Sequence, residues 1–243
     1  MSISRARKRQ GVLKFPRKWI LHIVFMFAVI IFTVFYVNKL KQAEYFPIKS
    51  VKIFGVRHVD HQQVQNLVTP FVSQGFFAVD VDAIKQKLRQ LPWVAETGVR
   101  RIWPDQVLIT VMEKNPIARW NEATLLSSAG ELFSPEQTNL SELPEFSGPE
   151  GQQVIMAQYY SRINNLLTPL HFKISRLELT PSLSWKITLN NGLKLNIGHK
   201  DILTRINHFV KVYPKIVGKR AADVEYVDLR YSNGMAVQWK SVV

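Results

Sequence analysis

The sequence contains no cysteine, which excludes disulfide bridges, thiolate metal sites and cysteine nucleophiles. It also has no acidic residue before Glu44, whereas residues 1–18 hold seven bases: Arg5, Arg7, Lys8, Arg9, Lys14, Arg17 and Lys18. Half of the formal net charge of +14 thus sits in a short arm, and the other 225 residues carry +7. That is not the distributed basic surface of a nucleic-acid reader, and no nucleic-acid partner is expected. Phosphate-cradling loops, G-x-G-x-x-G, G-x-S-x-G and H-E-x-x-H are all missing. His58-Val59-Asp60-His61 is a close cluster of metal-ligand types, but it falls at a strand-to-helix turn where Asp60 serves as a helix cap. Asp80 and Asp82 precede a helical pattern, where acids suit the helix dipole. Glu142, Glu145 and Glu150 lie in a Pro/Gly-rich loop, and His171, His199 and His208 have no carboxylate beside them in sequence. No catalytic residue, metal, cofactor or small-molecule substrate is expected, so the chain reads as a non-enzyme.

What is present starts with a long apolar run. Trp19 to Val37 is 19 residues with only His22 and Thr33 polar. As a helix it extends about 28 Å, close to the hydrocarbon thickness of a bilayer. Trp19 and Tyr36 stand at its ends, where amphipathic rings prefer the headgroup region. The run exceeds the usual signal-peptide core and no small-x-small pair follows it, so an uncleaved signal anchor is expected. The basic arm, against only Lys39 and Lys41 beyond the span, predicts a cytoplasmic N-terminus. Everything from about residue 38 then faces the other side, the periplasm in a Gram-negative envelope.

The external part divides in two by pattern, and the expected class is α+β. Lys49–Phe54 alternates into Gly55 as a strand, and Val64, Leu67, Val68 and Phe71 follow Asp60 at helical spacing. A second helix starts near Asp80 or Asp82 and ends by Pro92. Strands are expected at 94–102 and 107–113 around a Trp103-Pro104-Asp105 turn, giving β-α-α-β-β over residues 46–116. Residues 117–243 read as strands with two helices, one within 152–167 and one over 201–213 stopped by Pro214. Two hairpins can be registered. A loop of Asn190-Asn191-Gly192 pairs Leu189 with Leu193, Ile187 with Leu195 and Trp185 with Ile197. A loop of Ser232-Asn233-Gly234 pairs Tyr231 with Met235, Leu229 with Val237 and Val227 with Trp239, collecting the apolar residues on one side. Glycine is expected to supply the left-handed position in each loop.

With this order established, the chain resembles the FtsQ/DivIB family of bacterial cell-division proteins over nearly its whole length. The resemblance is carried by SVKIFGVRHV (50–59), LPWVAETGVRRIWPDQVLITVMEKNPIARWN (91–121), SWKITLNNGLKLNIG (184–198) and YVDLRYSNGMAVQW (226–239). It implies a basic cytoplasmic arm (1–18), a transmembrane helix (19–37), a linker (38–45), a POTRA domain (46–116) and the family's β-domain (117–243). It further implies a non-enzymatic inner-membrane scaffold at the division septum that binds the FtsB–FtsL pair through its periplasmic domain. By motif position the FtsB contact is carried to Tyr231, Gly234, Met235 and Trp239, with Val237 on the same strand. A competing reading puts Tyr231, Met235 and Trp239 on the inner face of the hairpin as core. Arg57 is a weaker candidate for a second division partner, with a solvated turn residue as its alternative. The family's basic residues before the Trp185 strand are replaced here by Ser182 and Leu183, so a charged contact there is not expected. With four residues after Trp239, neither is a contact from a longer tail. The alternative to a division scaffold is a POTRA-type chaperone or transport protein of envelope biogenesis.

Overall fold

A computed structural model describes residues 17–40, 46–121, 124–136, 142–231 and 234–240. The arm before residue 17, most of the linker, and Ser232 and Asn233 of the expected hairpin loop lie outside the described residues. The apolar run forms α1 (Arg17–Leu40), whose stretch Trp19–Lys39 is long and apolar enough to cross a membrane. Its side chains from Trp19 to Lys39 are exposed to the last residue, as a lipid-facing helix requires and a core helix forbids.

The next elements are β1 (Ser50–Phe54), α2 (His61–Val72), α3 (Val81–Leu88), β2 (Val94–Ile102) and β3 (Gln106–Glu113). They bear out the expected β-α-α-β-β order. The strands form a sheet of order β1-β3-β2, with β1 parallel to β3 and Ser50 opposite Gln106. Asp80 starts α3 by accepting the backbone N–H groups of Asp82 and Ala83, both at 3.0 Å. Gly55 turns the chain out of β1 at φ +87°, and a side chain there would collide with the Val111 carbonyl oxygen. Only glycine tolerates both the angle and the approach.

Residues beyond 115 form β4 (Pro116–Trp120), β5 (Thr124–Ser127), β6 (Leu132–Phe133), β7 (Glu145–Ser147), α4 (Gln153–Leu167), β8 (Ile174–Leu179), β9 (Trp185–Leu189), β10 (Lys194–Gly198), α5 (Ile202–Val217), β11 (Val224–Asp228) and β12 (Ala236–Trp239). All but the two helices join one nine-stranded sheet of order β12-β11-β10-β9-β8-β7-β4-β5-β6. A single row of partners crosses seven strands: Trp120, Phe146, Leu177, Ile187, Leu195, Val227 and Val237. The first six are buried and form, with Met156, Ile163, Ile206 and Phe209 of the helices, one hydrophobic core. Period-two alternation in each strand builds this row, because every second side chain lies on the same face.

Three expectations are corrected. The helix α5 runs through Pro214 to Val217. Proline removes one hydrogen bond, but buried Tyr213 and Val217 hold the last turn against the sheet. In the first hairpin Leu189 meets Leu193 and Ile187 meets Leu195 as expected, but Trp185 faces Gly198 across a bulge at Ile197. In the second hairpin Val227 faces Val237, and Trp239 faces Val224. The register is thus displaced by two residues: the β11–β12 ladder ends with Asp228 opposite Ala236, and Leu229 lies beyond it, its N–H continuing the β10 ladder at the Asn196 carbonyl. A two-residue slip preserves the faces, so Val237 still points toward the core. Gly192 takes the left-handed conformation at φ +85°, as expected for the first hairpin loop.

The chain divides into two compact units. Among the described residues, the first holds those within 17–54, 61–86 and 98–110, and the second those within 55–60, 87–97 and 111–240.

Candidate partner-binding edge

The site begins with the position of β12 in the sheet. It is the last strand in the order, so one of its sides pairs with β11 and the other has no strand partner among the described residues. Four residues of open edge offer about 13 Å of unpaired backbone donors and acceptors. β12 is held at its far end by Lys240, whose backbone N–H donates to the Asp223 carbonyl at 2.7 Å and whose Nζ donates to the Ala222 carbonyl at 2.8 Å. Trp239 is half-buried, and the Arg220 guanidinium stands 4.4 Å from its ring centroid, a cation–π arrangement that fixes the indole.

The near end is built around Asp228 and Arg230. Two residues apart on extended chain, they share a face, and the guanidinium donates to both carboxylate oxygens at 3.0 and 2.7 Å. Burial would raise the Asp228 carboxyl, but the Arg230 hydrogen bonds and charge outweigh it and hold it below its ordinary value. Arg230 is raised in turn by the same pair. Gly198 supports this corner from β10. At φ +84° it packs so closely that a side chain would meet Arg205 Nη1 at 2.9 Å and Arg230 Cγ at 3.2 Å.

A cleft of about 220 Å³ is lined by Asp201, Thr204, Arg205 and His208 on one side and by Leu229, Tyr231, Gly234 and Met235 on the other. Arg205, one of the lining residues, donates to the Ile197 carbonyl. The cleft brings Tyr231, Gly234 and Met235 together, and Val237 and Trp239 follow on the adjoining strand. Tyr231 is 60% exposed, so it is not a core residue. Met235, Val237 and Trp239 are half-buried and pack against the core with one side. The core reading therefore fits one side of Met235 and Trp239 and does not fit Tyr231.

Arg57 has a different setting. It is exposed, and its backbone N–H, with those of His58 and Val59, donates to the Glu113 carboxylate at 2.7 to 3.0 Å. Arg57 is not among the residues that line the cleft, and the structure does not bring it to the other candidates. Ser182 and Leu183 lie in the turn between β8 and β9, where the Ser182 and Thr180 hydroxyls are 2.9 Å apart and Leu183 takes φ +58°. Sequence reasoning missed Arg205, His208, Arg220 and the Asp228–Arg230 pair. The i,i+2 spacing of Asp228 and Arg230 was a usable signal; the α5 residues had none, because only the fold sets them beside the hairpin.

Two family models match the chain. A POTRA domain of FtsQ type covers residues 46–114, and the C-terminal domain of the cell division protein FtsQ/DivIB covers residues 118–230. The chain is 38% identical over 197 residues to the cell division protein FtsQ of Coxiella burnetii, covering 80% of this chain and 81% of that protein. It is 36% identical over 202 residues to FtsQ of Shewanella oneidensis, covering 82% and 77%. The corresponding match to FtsQ of Escherichia coli is 34% over 208 residues, covering 82% and 75%.

Proposed function

The chain belongs to the FtsQ/DivIB family of cell division proteins, and from that premise we propose that it is a non-enzymatic scaffold binding the FtsB–FtsL pair along β12. A role in cell division and a fold with one apolar N-terminal helix are given by the family and the structure. The finer reading places the arm 1–18 in the cytoplasm, residues 19–37 in the inner membrane, and the POTRA domain (46–116) and β-domain (117–243) in the periplasm at the septum. The domain limits and the orientation belong to this reading.

The observation that carries it is the open edge of β12 flanked by exposed Tyr231 and a cleft. A partner segment adding as a strand would satisfy the unpaired backbone, and side chains beside the edge would select it. Tyr231 is the anchor: an aromatic group with little entropy to lose and a polar tip. Gly234 has open space where a side chain would stand, so the partner backbone can approach there. Arg57 remains a proposal for a separate contact and is independent of this edge.

The test is binding of the full chain, in detergent or lipid discs, to FtsB–FtsL. Tyr231→Ala is expected to weaken binding by about 2 kcal/mol, roughly 30-fold, with thermal stability unchanged because the ring is exposed. Trp239→Ala is expected to lose binding as well but with some stability, since its ring packs on the core and under Arg220. Full-strength binding by a folded Tyr231→Ala chain moves the site off this edge. Absence of wild-type binding ends the FtsB–FtsL reading.

A further inference from the structure

The end of the first unit where the chain enters from α1 carries an exposed aromatic and basic cluster for which the proposed partner site has no use. β1 runs parallel to β3 with Ser50 opposite Gln106, so the β2–β3 turn lies at the start of β1. The Lys49 N–H donates to the Asp105 carbonyl at 2.8 Å and pins that turn to the incoming chain. Three residues earlier, the Phe46 carbonyl accepts the Phe76 N–H at 2.8 Å and pins the 73–80 loop to the same place. Arg101 ties the two together, its Nη1 reaching the Phe76 carbonyl at 3.5 Å.

Trp103 on the turn is 71% exposed, and Phe77 on the loop is 45% exposed, standing edge-on to both Phe46 and Phe76 at 4.9 and 5.3 Å. Arg100 and Arg101 are exposed in the strand leading to Trp103 and have no carboxylate partner among the described residues. Lys49 is neutralised by Asp105 at 3.3 Å, and Asp80 is engaged in capping α3. An indole, a phenyl ring and two guanidinium groups without a counter-charge at one end suit the boundary between water and lipid, where tryptophan and snorkelling arginine are favoured. Only six peptide links separate Leu40 from Phe46, so this end lies within roughly 20 Å of the end of α1.

We propose that this end, through Trp103, Phe77, Arg100 and Arg101, seats on the polar interface of the bilayer that α1 crosses, with anionic phospholipid headgroups as the ligand. Such seating would fix the unit against the membrane, where the tether alone leaves it free to turn. The proposal rests on the reading of α1 as a membrane anchor.

The chain has no cysteine, so single spin labels can be introduced into the full protein without background. We would place them at Ala78→Cys beside Phe77, at Phe54→Cys at the far end of β1, and at Ile30→Cys in mid-α1. The protein is reconstituted in discs of phosphatidylethanolamine and phosphatidylglycerol doped with a nickel-chelating lipid. The label at 78 is expected to relax severalfold faster from headgroup nickel than the label at 54, and Trp103→Ala, with unchanged circular dichroism, is expected to remove the difference while Trp103→Phe retains part of it. Equal relaxation at 78 and 54, with the label at 30 shielded in hydrocarbon, overturns the seating and leaves the anchor intact. A water-accessible label at 30 overturns the anchor and the seating with it. Contact at 78 that a folded Trp103→Ala chain retains removes the assigned surface and also counts against the proposal.

Discussion

Glu113 shows how one residue can organise a loop without being a catalyst. Its carboxylate accepts backbone N–H groups from Arg57, His58 and Val59 and meets His58 Nδ1 at 2.8 Å, while the His58 ring stacks on Trp93 at 4.2 Å. Burial pushes the carboxyl up, but these hydrogen bonds together bring it below its ordinary value. A carboxyl lowered on folding contributes stability that is complete above its ordinary value and is lost as pH falls through the lowered one. Glu113→Ala should therefore cost about 2–3 kcal/mol at neutral pH. Measured by urea unfolding, the gap to wild type should begin to narrow as pH falls below the ordinary glutamate value of about 4.3 and go on narrowing until pH has passed the lowered native value. A gap that is constant across pH would mean that the carboxylate charge does not hold the loop. The His58/Asp60/His61 cluster, which invites a metal reading in the sequence, is thus drawn partly into loop structure: His58 is engaged by a carboxylate 55 residues away.

Among the elements, α5 is the one on which the candidate edge depends. Ile202, Ile206, Phe209, Tyr213 and Val217 recur at helical spacing and are all buried, which fixes the helix on the sheet beside β10. That placement sets Asp201, Thr204, Arg205 and His208 along the cleft. Phe209 is fully buried and packs on Tyr213 and Phe172. Phe209→Ala is expected to cost about 3–5 kcal/mol. If α5 positions the cleft, the same variant should also weaken partner binding under conditions where it remains folded, as read by calorimetry beside circular dichroism. Unimpaired binding would show that the edge strand acts without the helix. The strand β12 teaches the complementary point. Its apolar alternation specified which face turns inward, but a period of two cannot tell one register from another displaced by two residues, and Val237 pairs with Val227 rather than with Leu229.

For the whole molecule the dominant feature is the contrast between one continuous apolar helix and the ordinary polarity of the rest of the chain. The mean hydropathy of the chain is −0.04, while the span Trp19–Lys39 reaches 2.7. A helix of that kind holds a protein in lipid by transfer free energy and not by charge, so salt cannot release it. Full-length protein in cells is expected to stay with the membrane through 1 M salt, about a 3 Å Debye length, and through alkaline washing. A chain lacking residues 1–45 is expected in the soluble fraction. Release of the full chain by salt would show peripheral attachment and remove the membrane anchor.

The sequence by itself determined the elements whose signal is local. The apolar span, the β-α-α-β-β order, the α4 helix, the strand faces and the first hairpin loop all follow from period, caps and turn residues that act within a few positions. It also carried the family, read from motifs at 91–121 and 226–239, and the comparisons with known proteins bear that family out. What only the tertiary structure decided are the pairings between distant segments: the nine-strand order, the displaced register of β12, the half-burial of Met235 and Trp239 against the exposure of Tyr231, and the cleft beneath them. The physical reason is that a side chain's face is written in a period of two, whereas its neighbour is chosen by competition among all strands for the same backbone hydrogen bonds and the same core.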